Sequence, residues 1–300
     1  FYSTRKSLIN IHFPKDFNHL EIAKKKIIFE EFFFNQLRFN LVKINRKRIN
    51  PGYYFPSISN KFKTFYESKL NFDLTNSQKK VLKEIREDFS SKKQMNRLLQ
   101  GDVGSGKTIV AIMSVIIAVE NNFQSCIVAP TEILAQQHFS SFINYLSDIN
   151  INVEILTGST TKLQRNLILS DLIIGKIDVL IGTHALFEDD VRFKNLAYVV
   201  IDEQHKFGVK QRSKMWKKNN PPPHVLIMTA TPIPRTLTMS IYGDLDISII
   251  DEMPPGRKDI ITVHRKDSNR LKVFAFLKDQ IKSGRQVYIV SVSYTHLRAH

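Results

Sequence analysis

The chain begins with a long uninterrupted stretch in which apolar residues are not confined to one face. Asn18 followed by Glu21 matches a capping box, and from there to about Arg46 no Gly or Pro occurs, which predicts one long helix. Its apolar side chains cover more than one face and are Ile27, Ile28, Phe29, Phe32, Phe33, Phe34 and Leu37. We therefore expect this helix to be buried between two bodies rather than to lie on a surface.

Beyond Leu70 the pattern changes to short β-branched apolar runs that alternate with longer helical ones. Such alternation is typical of an α/β fold, in which a parallel sheet is covered by helices on both faces. The predicted strands are 97–100, 126–129, 153–157, 179–183, 198–201 and 225–229. A Pro- and Gly-containing shift at 253–257 predicts a domain boundary. After it, strands at 260–263 and 286–290 around a helix at about 268–282 restart a βαβ pattern.

Charge and cysteine content narrow the class of protein. The 300 residues include 44 Lys and Arg against 28 Asp and Glu, a formal charge of +16, which fits an acidic partner or simply a Lys-rich solvated surface. Cys126 is the single cysteine, which excludes an intrachain disulfide and favours a reducing, cytoplasmic location. The longest nearly apolar run, 109–119, is 11 residues, short of the ~20 that cross a bilayer, so no membrane partner is expected.

A phosphate-binding pattern, G-x-x-x-x-G-K-[ST], occurs at 101–108 between an apolar strand and a helical run. Glycines at Gly101, Gly104 and Gly106 allow the loop to wrap closely around phosphates. Lys107 can reach the β and γ phosphates, and the Thr108 hydroxyl can ligate Mg²⁺. The alternative is a Gly-rich turn without a ligand, and the order of strand, loop and helix argues against it.

Two carboxylates, Asp202 and Glu203, directly follow the apolar strand at 198–201. Open α/β sheets bind ligands at the carboxyl ends of their strands. We assign Asp202 to the metal and Glu203 to the base, because a phosphate-loop protein needs one carboxylate on Mg²⁺ and can use a second to deprotonate the attacking water. By itself the pair would equally fit a solvated helix N-terminus, where acidic residues are favoured.

Five strings then occur in order: Asn-Arg-Leu-Leu-Gln-Gly at 96–101, Ala-Pro-Thr-Glu-Ile-Leu-Ala-Gln-Gln-His at 129–138, Gly-Thr-His-Ala-Leu at 182–186, Asp-Glu-Gln-His-Lys-Phe-Gly-Val at 202–209 and Met-Thr-Ala-Thr-Pro-Ile-Pro-Arg-Thr at 228–236. They resemble the motifs of superfamily 2 helicases, most closely those of RecG-type branch-migrating DNA helicases. The resemblance covers nearly the whole chain up to Val290. It implies a RecA-like P-loop domain that uses ATP and Mg²⁺.

The same resemblance implies a domain organisation. Residues 1–70 would be a linker helix and connection from a missing wedge domain, and residues 71–252 the ATP-binding domain. Residues 253–290 would start a second RecA-like domain. The last ten residues, 291–300, do not resemble the family continuation, and we expect them to be non-native.

Individual positions also acquire roles from the resemblance. Phe72 and Gln78 resemble an adenine-reading segment, although Gln78 could instead simply open a helix. Thr229 and Thr231 resemble the motif that links nucleotide state to DNA grip, with His205 in a hydrogen-bonded relay to the γ-phosphate and Arg235 following in the family pattern.

Single-strand contacts would fall on small or polar residues at strand ends, which suit contacts to phosphate that position DNA without reading its sequence. These residues are Pro130, Thr131, Gly158, Thr183 and His184. Read alone, each would more often be an ordinary turn.

The implied function is that of a monomeric, ATP-dependent helicase that regresses replication forks and branch-migrates Holliday junctions in DNA recombination and repair. Because the family's arginine finger lies in the second motor domain, we expect these residues alone to bind Mg·ATP with little turnover. A transcription-repair coupling translocase shares the 229–236 pattern but usually has Glu at the position of Gln204. A non-catalytic, basic nucleic-acid-binding module is the alternative from a different class.

Overall fold

The computed structural model describes residues 2–49, 51–58, 60–203, 219, 221–231, 245–254 and 260–290. The chain divides into two compact units, Phe1–Pro255 and Gly256–His300. Throughout the described ranges, every helix falls short of the length and apolar character that a membrane span requires.

A parallel sheet forms the centre of the first unit. Its strands are β1 (Asn96–Gly101), β2 (Gln124–Val128), β3 (Val153–Leu156), β4 (Val179–Gly182), β5 (Leu196–Asp202), β6 (His224–Thr229) and β7 (Asp246–Ile250). Their order in the sheet is β3-β4-β2-β5-β6-β1-β7, with every pair parallel. The predicted α/β class is confirmed, and β1 to β6 coincide with the six predicted strands.

Four described α-helices of the first unit precede the sheet in the chain, and three more follow β1, β2 and β3 in turn. They are α1 (Thr4–His12), α2 (Phe17–Ile49), α3 (Asn60–Thr64), α4 (Asn76–Ser90), α5 (Lys107–Glu120), α6 (Glu132–Leu146) and α7 (Lys162–Ile174). Thr75, Thr131 and Thr161 cap α4, α6 and α7, each accepting a backbone N–H of the first turn at its hydroxyl. Such caps satisfy donors that the helix itself leaves unpaired, so the local sequence fixes where these helices begin.

α5 is apolar on all sides, and the fold buries it accordingly. Every residue from Ile109 to Val119 is buried. Ser114 is the polar member of this run, and its hydroxyl lies 2.8 Å from the Tyr198 hydroxyl of β5 and 2.9 Å from the Val110 carbonyl oxygen. Burial also raises the pKa of Tyr198. The continuous apolar run therefore marks the central helix of the core.

The long helix predicted at the start of the chain is present as α2, but it is not enclosed. α1 packs along it, and the Thr4 hydroxyl donates to Glu30 across 3.3 Å. Exposed apolar side chains, 45–60% accessible, remain at Ile28, Phe29, Phe32, Phe33, Phe34 and Leu37. The described residues thus leave these side chains exposed, and the expectation that the helix is buried between two bodies stays a prediction.

The connection after α2 is tightly packed under the amino ends of the strands. The Gly52 N–H donates to the Lys92 carbonyl, and a Cβ on Gly52 would lie 2.3 Å from the Lys93 carbonyl carbon. His224 accepts the Met95 N–H at Nδ1 (2.8 Å) and lies 2.7 Å from the Tyr53 carbonyl oxygen at Nε2. Nε2 must therefore carry the proton. Burial lowers the pKa of His224 to about 4.

The second unit contains one α-helix in its described part, α8 (Arg270–Lys282), as predicted, and a short 3-10 helix (Asp267–Asn269) leads into it. The strands predicted at 260–263 and 286–290 are not formed, so this part of the prediction is wrong. A strand needs a neighbour for its backbone hydrogen bonds, and the described residues of this unit supply none. The predicted domain boundaries after residues 70, 252 and 290 remain predictions.

Candidate nucleotide and nucleic-acid site

The loop between β1 and α5 has the backbone geometry of a phosphate-binding loop. Gly104 and Gly106 adopt left-handed φ values of 81° and 87°, and Gly106 immediately precedes the first residue of α5. A Cβ on Gly106 would lie 2.2 Å from Nε2 of Gln78. The position therefore admits glycine alone, and the first-turn N–H groups of a long helix are left at the loop, where anions are favoured.

Lys107 begins α5 and folds its side chain over the loop. Its ammonium donates to the carbonyl oxygens of Gly101 (2.6 Å) and Asp102 (3.0 Å). Burial lowers the pKa of Lys107, and the negative charges of Asp202, Glu203 and Asp102 oppose that effect. The predicted lysine and the two predicted carboxylates therefore share one electrostatic environment at the carboxyl edge of the sheet.

Asp202 ends β5 and is held by a histidine that sequence reasoning left without a role. Its Oδ2 lies 2.8 Å from Nε2 of His138 on α6, and the side chains of Asp202 and His138 are 13% and 10% exposed. His138 closes the string at 129–138. The position of His138 in this motif was the one sequence signal that it has a role, and the motif does not show that its partner is Asp202.

Glu203 has a strained backbone and a well-defined set of partners. Its φ of 50° lies in the left-handed region, which non-glycine residues seldom occupy. The carboxylate accepts the Ala230 N–H at 2.9 Å and the Thr229 hydroxyl at 3.2 Å. The Thr231 N–H in turn donates to the Thr229 hydroxyl at 3.2 Å. The predicted base and the predicted coupling threonines thus form one hydrogen-bonded group.

Residues predicted to contact DNA lie just after β2, β3 and β4, which are adjacent strands. Thr131, which caps α6, and His184, which begins the short 3-10 helix His184–Phe187, are both exposed. Gly158 is exposed and Pro130 half-buried, whereas Thr183 is buried. The five positions therefore share the edge of the sheet that also carries the phosphate loop, but on its other half.

Two of these turns are joined by Glu132, which the sequence analysis did not single out. Its carboxylate accepts the Ser159 hydroxyl (2.8 Å) and the Ser159 N–H (3.2 Å). A Cβ on Gly158 would lie 3.1 Å from the same carboxylate. The turn after β3 is therefore held against the first turn of α6.

The two residues predicted to read adenine, Phe72 and Gln78, lie in different environments. Phe72 lies in the loop before α4 and is 40% exposed. Gln78 is buried, accepts the Thr75 N–H at 2.9 Å and donates to the Ser105 carbonyl at 2.8 Å. Gln78 lies in the first turn of α4, as the alternative interpretation predicted. Its hydrogen bond to Ser105 also holds the phosphate loop in place. Its contact with a base stays a prediction.

His205 and Arg235 lie outside the described residues, so their predicted roles also stay predictions.

The groups that are described fit a nucleotide with a divalent cation. Ser105 Oγ is buried in the loop without a hydrogen-bond partner in the described part of the chain, which leaves a polar atom for a ligand. The described residues contain no cluster of three or more His, Cys, Asp or Glu that would hold a metal alone. Mg²⁺ suits such a site, because it binds one or two protein oxygens together with phosphates and water.

A family model for the DEAD/DEAH box helicases matches residues 75–240. The chain therefore belongs to the DEAD/DEAH box helicase family.

Individual relatives narrow the similarity. The chain is 46% identical over 287 residues to the ATP-dependent DNA helicase RecG of Aquifex aeolicus, covering 93% of this chain and 36% of the relative. It is 42% identical over 290 residues to the RecG of Bacillus subtilis, covering 97% and 42%. A solved structure of RecG bound to a three-way DNA junction matches 93% of this chain and 37% of its own, with a TM-score of 0.82 and 42% identity.

These similarities confirm the resemblance to RecG-type helicases. The chain spans between 36% and 42% of the length of these two curated relatives.

Proposed function

We propose that this chain carries the ATP-binding motor domain of a DNA helicase that acts on branched DNA, with fork regression and Holliday junction branch migration as its reactions. The observation that carries the proposal is the shared edge of Lys107, Asp202 and Glu203, with Glu203 bonded to Thr229. The relatives support it, since they are ATP-dependent DNA helicases and one was solved on a three-way junction.

Each group at this edge has a distinct task in ATP hydrolysis. Lys107 would exchange its two loop carbonyls for phosphate oxygens, and Thr108 with Asp202 would hold the cation. Mg²⁺ supplies charge neutralisation at the phosphates when it is bound with ATP. Glu203 would receive the proton of the attacking water at a carboxylate oxygen.

Motor coupling follows from the contacts of the same base. Any movement of Glu203 that accompanies proton transfer reaches Thr229 and the Ala230 N–H directly. The proposed coupling element also includes Thr231, His205 and Arg235. Adenine would be recognised by Phe72 and Gln78. DNA would lie along the turns that follow β2, β3 and β4, where hydroxyl and backbone groups suit phosphate contacts.

The proposal is tested by equilibrium binding of a fluorescent ATP analogue to the 300-residue chain, with and without Mg²⁺. We expect Mg²⁺-dependent binding that Lys107→Ala abolishes, because the ammonium is the direct phosphate ligand. Lys63→Ala is the matched control, since it removes an exposed lysine on α3. Hydrolysis should remain slow in every sample.

A chain that binds DNA but no nucleotide would instead support the non-catalytic basic module. Unchanged nucleotide binding by Lys107→Ala would equally overturn the assigned site.

A further inference from the structure

The contact between His138 and Asp202 joins the two halves of the sheet edge. α6 follows β2, whose turn carries Thr131, whereas Asp202 ends β5, the next strand in the sheet. Nε2 of His138 meets Oδ2 of Asp202 at 2.8 Å. His138 is 8% exposed, so this polar contact is made largely out of water.

We propose that His138 is a positioning residue for the cation site: it fixes the Asp202 carboxylate through Oδ2, so that Oδ1 is presented to the Mg²⁺ of bound Mg·ATP. The inference rests on the proposed function, because it takes Asp202 as the cation ligand.

The chemistry of the pair favours this role over that of an ordinary core histidine. A carboxylate on a flexible side chain can rotate away from a cation, whereas one that accepts a short hydrogen bond from a buried ring is held in one orientation. Because His138 contacts only Oδ2, the other carboxylate oxygen of Asp202 is left for the metal. His138 itself lies on a helix, which holds it more firmly than a loop would. Groups that orient metal ligands in this way typically change metal affinity by about 10- to 100-fold when removed.

The same contact would couple DNA binding to nucleotide binding. His138 lies on α6, whose first turn is fixed at Thr131 and at Glu132, where the turn after β3 is attached. A displacement of this turn by bound DNA would move α6 as a unit and alter the contact between Nε2 and Oδ2. Binding of DNA and of Mg·ATP would then be linked, and the linkage must be reciprocal.

The decisive comparison uses His138→Leu and His138→Gln. Leucine fills a similar volume without a donor, and glutamine can place an amide N–H near the position of Nε2. Binding of Mn²⁺ in the presence of ATP is followed by electron paramagnetic resonance, and binding of the fluorescent ATP analogue is titrated with Mg²⁺. Gln137→Leu, at the adjacent exposed position of α6, is the matched control. Urea unfolding of each variant verifies that it folds.

We expect His138→Leu to raise the half-saturating Mg²⁺ and Mn²⁺ concentrations about tenfold or more, with His138→Gln recovering most of the loss and Gln137→Leu unchanged. Nucleotide binding at saturating Mg²⁺ should differ little. A purely structural role predicts instead that leucine and glutamine weaken binding equally at every Mg²⁺ concentration, and that result, or no change with leucine, overturns the proposal. Absence of Mg·ATP binding by the unsubstituted chain would overturn the proposed function, and this inference with it.

The linkage is measured by repeating the titration with a single-stranded oligonucleotide. We expect the oligonucleotide to shift the affinity of the unsubstituted chain for Mg·ATP about fivefold or more, and His138→Leu to reduce that shift. An equal shift in both proteins would remove His138 from the route between the two ligands. The absence of any shift in the unsubstituted chain would overturn the linkage itself.

Discussion

α5 and α2 both carry apolar side chains around much of their circumference, and the fold treats them differently. α5 lies against the sheet, and every residue from Ile109 to Val119 is buried. α2 packs against α1, yet Phe29 and Phe33 stack on one another with ring centroids 5.8 Å apart while each remains about half exposed. The apolar pattern predicts which helix surfaces favour a cover, but it does not identify what covers them.

The difference has an energetic consequence that can be measured. Removing apolar surface from water stabilises the folded state by roughly 25 cal/mol per Å². A side chain gains this stabilisation only where a neighbouring group excludes water from it. Isoleucines on the two helices therefore provide a matched pair, because the same atoms can be deleted from both.

The largest effect is expected for Ile112→Ala in α5. Ile112 is fully buried, so the substitution removes buried methyl groups and leaves a cavity in a close-packed core. We expect the free energy of unfolding to fall by about 2–5 kcal/mol, measured by urea denaturation. A loss below about 1 kcal/mol would contradict the close packing of α5 against the sheet.

Acid should weaken the attachment of the connection that follows α2. The folded pKa of His224 is lowered to about 4 by burial, below the value near 6.5 of an unfolded histidine. Its contribution is therefore complete above about pH 6.5 and is lost as the pH falls toward 4, because the unfolded chain takes up the proton first. Over that window we expect a loss of about 3 kcal/mol from this group.

The measurement for His224 is urea unfolding at several pH values, compared with His224→Gln. The variant cannot titrate, so its stability should fall less steeply between pH 6.5 and 4. Parallel curves for the two proteins would show that His224 is not the group responsible.

Local patterns predicted most of the sheet and missed its edge. β4 to β6 are mainly β-branched apolar runs, and β1, which contains only two leucines among polar residues, is marked by the phosphate loop that follows it. In β7, Asp246 and Ser248 interrupt the apolar pattern, and no motif follows to mark the strand. β7 pairs along β1 at the border of the sheet as far as the chain is described, and its buried Ser248 accepts a hydrogen bond from Arg97 of β1 at 2.8 Å and donates to Glu84 of α4. These partners are distant in sequence, so the local pattern could not reveal that a polar residue fits there. The strands predicted after 253 show the converse, since an apolar run without a described partner forms no ladder.

In the candidate site, too, some features could be predicted from local sequence and others could not. Lys107, Asp202 and Glu203 belong to short motifs whose spacing expresses their chemistry, and sequence alone brings them to attention. The contact of His138 with Asp202 joins positions 64 residues apart. It depends on β2 lying beside β5, and strand order arises from the packing of the whole sheet rather than from any local segment.

The smallest effect is expected for Ile28→Ala in α2, and it completes the matched pair. Ile28 is 55% exposed, so its deletion gives back little buried surface and opens no cavity. We expect a change within about 0.5 kcal/mol in the urea experiment applied to Ile112→Ala. If Ile28→Ala destabilised the chain as strongly as Ile112→Ala, α2 would have to be covered in solution, and a dependence of the urea midpoint on protein concentration would identify a second copy as the cover. An equal midpoint at all concentrations, together with a small effect, would establish that the two helices differ in their surroundings and not in their need for burial.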